Sequence, residues 1–383
     1  MNNREKIIIY SLIGFCINIS YISGNLFISN FSQVLGASKS FIGLINAILP
    51  FFSILTAPLF ARKAAKLRRK LPIIKTGLII GAFFSILLFF SYDKILIFIF
   101  RMGMGVSFGA TMGLTNSLAT EIDTEKRGKY FGIYSASCSF GWAVGSLLVG
   151  LVISQKYNNA FLIPIIFLTT GFVATLFAKE KYTASDYFGI DFQTFKKFLP
   201  FYRTLFLRHS AATTLWAFLP LYLEFTLGFD RFIISSIFFI NNSLQVLTMP
   251  LVGHLSDRIK KTYLVFTGLI GSFIFILTFT IIKNPIDFML LQILVAFSWA
   301  LVYLGTSSLV TSYSTWNERG EAISGLSMTL NLSSIVGPLL GGIIYGLSDF
   351  VTMLYLMLPL CLLAIISSIF LKEKEEIPHN IYK

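Results

Sequence analysis

Acidic side chains are scarce in this chain: 18 aspartates and glutamates stand against 31 lysines and arginines in 383 residues, a formal charge of +13. Histidine is scarcer still, and His209, His254 and His379 are too scattered for a metal site. The three cysteines, Cys16, Cys138 and Cys361, all fall in apolar runs and share no disulfide or zinc spacing. There is no Gly-x-x-x-x-Gly-Lys-Ser/Thr loop to cradle a nucleotide phosphate, which argues against ATP hydrolysis. A Gly-x-Ser-x-Gly match at residues 105–109 falls in the middle of an apolar run, not at the strand-to-helix elbow that a hydrolase needs. Neither an enzyme nor a metal or other cofactor is therefore expected. Charged residues make up only 13% of the chain, too little for the surface of a soluble domain of this size.

What the chain has instead is hydrophobic length, 55% apolar residues gathered into twelve runs at 7–29, 41–61, 73–90, 95–119, 130–153, 161–178, 205–227, 232–252, 263–282, 288–312, 322–347 and 351–371. Each is long enough, or nearly so, to cross a bilayer core of ~30 Å as a helix rising 1.5 Å per residue. The first run is too long for a signal-peptide core and lacks a small-x-small cleavage site, so it counts as the first span. The expectation is an all-α integral membrane protein of twelve transmembrane helices, monomeric, with the lipid bilayer as its surroundings.

The bases follow topology. With the N-terminus inside, 25 lysines and arginines fall at the inner ends and loops and five (Lys39, Lys94, Lys156, Arg231 and Lys283) at the outer loops, with Arg101 alone inside a span. Such a bias puts both termini on the cytoplasmic side of a cell membrane and removes the nucleic-acid partner that +13 would suggest in a soluble protein.

The chain also repeats itself. A shift of 192 residues lays Pro58 on Pro250, Arg68 and Arg69 on Lys260 and Lys261, Arg127-Gly128 on Arg319-Gly320, Gly145 on Gly337 and Gly150 on Gly342. An even number of spans separates the copies, which makes a parallel repeat of two pseudo-symmetric six-helix halves, residues 1–180 and 205–371, joined by a cytoplasmic linker at 181–204 and ending in a tail at 372–383. In the longest loop, Phe188, Phe192, Phe195 and Leu199 share a helical face beside Lys196 and Lys197. That pattern fits either a short helix on the inner membrane surface or an irregular linker.

Polar residues inside the spans are the candidates for function. Asparagine and glutamine are costly in hydrocarbon without partners, and none occurs in spans 3, 6, 9 or 12, which are therefore assigned to the lipid-facing side. In the first span Asn18, Tyr21 and Asn25 make a polar stripe, and in the tenth Gln292, Trp299 and Tyr303 make another. Both fit a substrate-cavity wall or helix-to-helix hydrogen bonding, and Asn116 in span 4 joins the cavity candidates. Four charges lie within spans. Lys75 and Arg208 are near the inner ends and can snorkel. Arg101 lies deeper, and either faces a cavity or bonds to carbonyls. Glu224, the only carboxylate in a span, is either a proton carrier or a solvated residue at the outer interface.

Between spans 8 and 9, Gly253, Leu255, Ser256, Asp257, Arg258 and Lys261 resemble the signature Gly-x-Leu-Ser/Ala-Asp-Arg-x-x-Arg/Lys of the major facilitator superfamily, and Arg101 followed by Gly105 is similar to that family's fourth-helix motif. The first hinge lacks the acid, having Ala65 in its place. The resemblance implies a secondary transporter moving a small organic solute by alternating access. It also implies a gate in which Gly253, Asp257 and Arg258 meet the start of the fifth helix near Arg127. Drug–proton antiport is the alternative, weakened because the exporters' fifth-helix Gly-Pro motif appears here only in span 11, as Gly337-Pro338. A membrane sensor or lipid-modifying protein is the reading from another class.

Overall fold

The computed structural model describes residues 2–123, 126–154, 156–180, 192–256, 258–315 and 318–372, except for the side chains of Arg127 and Phe192. It is helical throughout these residues: α1 Asn3–Asn25, α2 Ile28–Val34, α3 Lys39–Leu67, α4 Leu71–Phe89, α5 Lys94–Thr120, α6 Arg127–Val152, α7 Leu162–Phe177, α8 Phe192–Phe225, α9 Arg231–Ser256, α10 Lys261–Phe279, α11 Pro285–Tyr313, α12 Arg319–Leu347 and α13 Phe350–Ile369, with one 3-10 turn at Tyr157–Phe161. Eleven stretches among the described residues are long and apolar enough to span a membrane. The twelfth, α8, has the length at 34 residues but is less apolar because it carries Arg208, His209 and Glu224.

The helix ends divide into two faces. At one, the starts of α3, α5, α9, α11 and α13 are capped by Ser38, Asp93, Asp230, Asn284 and Asp349, whose side chains accept backbone N–H groups left open by the first turn. At the other, which we term the basic face, lysines occupy the N-cap positions of α4, α6 and α10 and none caps with its side chain. A cation there opposes the helix dipole by roughly 0.3–1 kcal/mol. For α4 the missing acid comes from elsewhere in its half: Glu180 accepts the N–H groups of Lys70 and Leu71 at 2.8 and 3.2 Å, while the Lys70 ammonium pairs with Glu121.

Each half packs on its own small residues. In the first, a Cβ on Gly145 would sit 2.9 Å from the Ile19 carbonyl oxygen of α1; in the second, a Cβ on Gly337 would sit 2.4 Å from that of Ser210 in α8. The two glycines are 192 residues apart, so the sequence repeat is a repeat of backbone approach as well. Helices α4, α7, α10 and α13 pack only within their own half, at its periphery, in accord with their lack of amides.

Two expectations change. The first span is longer than residues 7–29 and is broken, with the chain leaving helix geometry at Phe27 before α2. Residues 192–204 form neither a surface helix nor an irregular linker: they are the first turns of α8. Phe198, Phe201, Tyr202 and Leu205 are buried against α10, α11, α12 and α13, whereas on the face expected from the sequence Phe195 is half-buried and Leu199 is exposed. Residues 181–191, including Phe188, lie outside the described set.

Candidate functional site

The halves meet along a seam formed by α3 against α12 and α6 against α9, and its tight glycine approaches lie toward the face opposite the basic one. There, a Cβ on Gly43 would lie 2.3 Å from the Pro338 carbonyl oxygen, and one on Gly342 would lie 2.9 Å from the Gly43 Cα. The repeat-related pair does the same on the other side, Gly150 abutting Ser235. The side chains above these contacts are also equivalent. Lys39 places its ammonium 4.7 Å from the Tyr345 ring centre, and Arg231, 192 residues later, donates from Nη1 to the Ile153 carbonyl at 2.8 Å.

The Arg231 side carries an additional cluster. Glu224 of α8 accepts from Arg231 Nε at 2.8 Å, from the Tyr157 hydroxyl at 2.5 Å and from Asn30 Nδ2 at 2.7 Å. Asn30 also donates to the Pro220 carbonyl, and Ser29 to that of Ala217. Tyr157 and Asn30 belong to the first half, Glu224 and Arg231 to the second. The carboxylate considered as a proton carrier is thus the centre of a clasp across the seam.

Toward the basic face the seam is open. A Cβ on Gly132, Gly253 or Gly320 would meet nothing within 4 Å. In their apolar stretches α3, α6, α9 and α12 are 28–33% buried, against 44–61% for the other seven spans of that set, although the peripheral helices already lose one side to lipid. That the seam helices are the least covered of these spans fits halves that separate over part of their length. In the hinge, Arg258 is exposed, while Asp257 and the Arg127 side chain lie outside the described residues.

The candidates sort into separate groups. In the first half, Asn18 accepts from Trp142 Nε1 at 2.8 Å, and Tyr21 meets Phe108 edge to face and Trp142 at a tilt, with centroids 5.0 and 5.3 Å apart. Asn25 accepts from Arg101 Nη2 at 2.8 Å. Arg101 is 2% exposed and donates also to the Ile45 and Gly24 carbonyls, so it does not face a cavity. Gln292, wholly buried, is likewise spent on protein: it donates to the Phe288 carbonyl and accepts from Asn241, which in turn accepts from Gln245. Asn116 is exposed on α5. In the second half, Trp299 stacks on Tyr303 and on His209, with centroids 5.1 and 5.2 Å apart, and the Arg208 guanidinium lies 5.1 Å from the Trp299 ring centre. Arg208 is 3% exposed and does not snorkel. Trp142, Asn30, Tyr157 and His209 were not among the candidates, since each is marked only by partners far away in sequence.

Two repeat-related helical halves, sealed against each other at one membrane face and parted at the other, define a protein built to open a central space to one side at a time. The family model of the Major Facilitator Superfamily matches residues 10–209 and 201–381, and the chain belongs to that superfamily of secondary transporters. It is 25% identical over 379 residues to MJ1317, an uncharacterized MFS-type transporter of Methanocaldococcus jannaschii, with 92% of each chain covered. To the multidrug resistance protein MdtG of Klebsiella pneumoniae it is 23% identical over 318 residues, 78% of this chain and 76% of that one. Its fold is also that of a bacterial homologue of the human lysosomal transporter Spinster, solved inward-facing and unoccupied, at a TM-score of 0.79 and 13% identity over 96% of this chain and 97% of the other.

Proposed function

We propose that the protein carries a small organic solute across the cell membrane, as a monomer and with no catalytic step of its own, and that the basic face is cytoplasmic, which makes this state inward-open. The observation that carries the reading is the asymmetric seam, with backbone contact at Gly43–Gly342, the Ser235 side chain against Gly150, and open space around Gly132, Gly253 and Gly320. Support for the orientation comes from the bias of bases and from the lysines at N-cap positions on one face, where the positive-inside preference outweighs an unfavourable helix dipole. Both termini are then cytoplasmic.

In this reading Glu224 holds the outer closure, and Asp257 with Arg258 and Arg127 engages when the inner side shuts. Solute flux into proteoliposomes, with a cysteine at Leu251 reporting inner access, tests it. Leu251 is 62% exposed on α9 and should react with an impermeant thiol reagent from the cytoplasmic side only. Export of drugs is the second reading, favoured by the likeness to MdtG and opposed by the Gly337-Pro338 pair lying in α12.

A further inference from the structure

The interior of the spans has cations without counter-ions. Among the described residues the carboxylates lie at or near helix ends, Glu224 at the next-to-last position of α8 where Arg231 pairs with it, and no acidic group pairs with Arg101 or Arg208. The two arginines differ in what replaces a counter-ion. Arg101 has three protein acceptors. Arg208 has one, Ser272 Oγ at 2.9 Å from Nε, and that hydroxyl gives its own proton to the Gly268 carbonyl. A guanidinium has five N–H donors, so the four on Nη1 and Nη2 have no protein acceptor among the described residues.

An unpaired buried charge destabilises a fold, and the scaffold does not require this one. The repeat-related position in the first half is Cys16, a buried thiol. Arg208 lies midway along α8, about 25 Å from either end at 1.5 Å per residue. Beside it stand the His209–Trp299–Tyr303 stack, half-buried, and the His209 Nδ1 atom, buried and without a partner.

We propose that Arg208, with the His209, Trp299 and Tyr303 rings, forms a binding site for an organic anion, a carboxylate carried on a planar ring. The paired Nη1 and Nη2 donors match the two oxygens of a carboxylate, and the ring lies along the aromatic stack. The guanidinium lies against the Trp299 and Phe275 rings at 5.1 and 5.7 Å but has no carboxylate beside it, so the same charge disfavours organic cations. This assignment rests on the transport reading and narrows it to a substrate class.

The test uses the purified full-length protein and three probes of one shape: 2-naphthoate, its neutral amide, and the naphthylmethylammonium cation. Charge-assisted hydrogen bonds predict that the carboxylate binds about 10- to 100-fold more tightly than the amide, read by titration calorimetry, and that the cation binds more weakly than either. Arg208→Gln should bring the carboxylate and amide affinities to within about threefold of each other. Arg208→Met controls for folding, because removing an unpaired charge should leave the melting temperature equal or higher. Equal affinity for the carboxylate and amide in the unmodified protein, no carboxylate binding at millimolar concentration, or a preference that survives Arg208→Gln overturns the proposal. Naphthoate that binds with the expected preference but does not cross proteoliposomes leaves the site standing and removes the transport reading. Flux of other solutes without any carboxylate preference does the reverse.

Discussion

Replacing Glu224 by glutamine should release the clasp that holds the far face shut. The amide keeps the size of the side chain but has a single oxygen, so it can no longer accept from both Asn30, which bonds one carboxylate oxygen, and Tyr157, which bonds the other, and it loses the charge facing Arg231 at 2.8 Å. The glutamate side chain is 13% exposed and the arginine 25%, so the pair lies between a surface ion pair, worth up to about 1 kcal/mol, and a buried one, whose disruption costs about 3–5 kcal/mol. A loss of ~1–2 kcal/mol from the closed state moves a two-state population roughly 5- to 30-fold toward opening at that face. Spin labels at Val34 and Leu347, which are 57% and 86% exposed on opposite halves, should report it as a growing long-distance component, after the three native cysteines are replaced. Tyr157→Phe, which deletes only the phenol donor across the seam, should give a smaller shift of the same sign. If the distance distribution is the same in unmodified protein, Glu224→Gln and Tyr157→Phe, the clasp does not hold the seam.

Backbone contact makes a complementary prediction. Gly43→Ala puts a Cβ 2.3 Å from the Pro338 carbonyl oxygen and should also favour far-face opening, whereas Gly320→Ala, with open space around it, should leave the same spin-label distances unchanged. A cysteine at Lys156 should react with an impermeant thiol reagent added outside intact cells and one at Arg68 should not; the reverse pattern discards the orientation. In the proposed cycle Asp257 helps shut the basic face, so Asp257→Asn should enrich the state open at that face by about three- to thirty-fold for ~0.7–2 kcal/mol; labels on the ends of α3 and α12 at the basic face would measure it. Glu318 is held down to about 2 by its hydrogen bond from Lys197 and by the Thr315 N–H, so its contribution is complete above its ordinary value of 4.5 and is lost only as the pH falls through about 2. The Lys197–Glu318 tether should therefore not titrate between roughly pH 5 and 8, and Lys197→Gln should leave the shape of a transport–pH profile over that range unaltered.

Features carried by local pattern could be read from the sequence. Helical runs, the bias of bases and the 192-residue repeat need no knowledge of partners, and the structure extends the repeat to equivalent contacts, Gly145 on Ile19 and Gly337 on Ser210. What required the structure is pairing at long range. Glu224 meets Asn30 across 194 positions, and nothing near either residue marks the other. Arg208 was read as a snorkelling residue because hydropathy started its span at 205; α8 begins at Phe192, since the aromatic face before it packs on neighbouring helices, and this places Arg208 at mid-helix. Arg101 and Gln292 followed from the correct principle, that polar groups in a membrane need partners, yet sequence does not say whether the partner is protein or solute. Here it is protein.

At the far face the glycine contacts work like a valve seat. Side chains can rotate out of each other's way, but the Gly43 and Gly342 backbones cannot, so their approach fixes how far the halves travel before they stop. The quality of the seal is then set by the bulk of two residues in each repeat-related pair. Enlarging position 342 in steps from glycine through alanine to valine should shorten the stroke and leave a progressively wider gap at the far face while the basic face is open. Such a carrier would conduct small ions continuously, at a rate graded by side-chain volume, so the missing side chains at the seam protect the membrane gradient as well as the transport cycle.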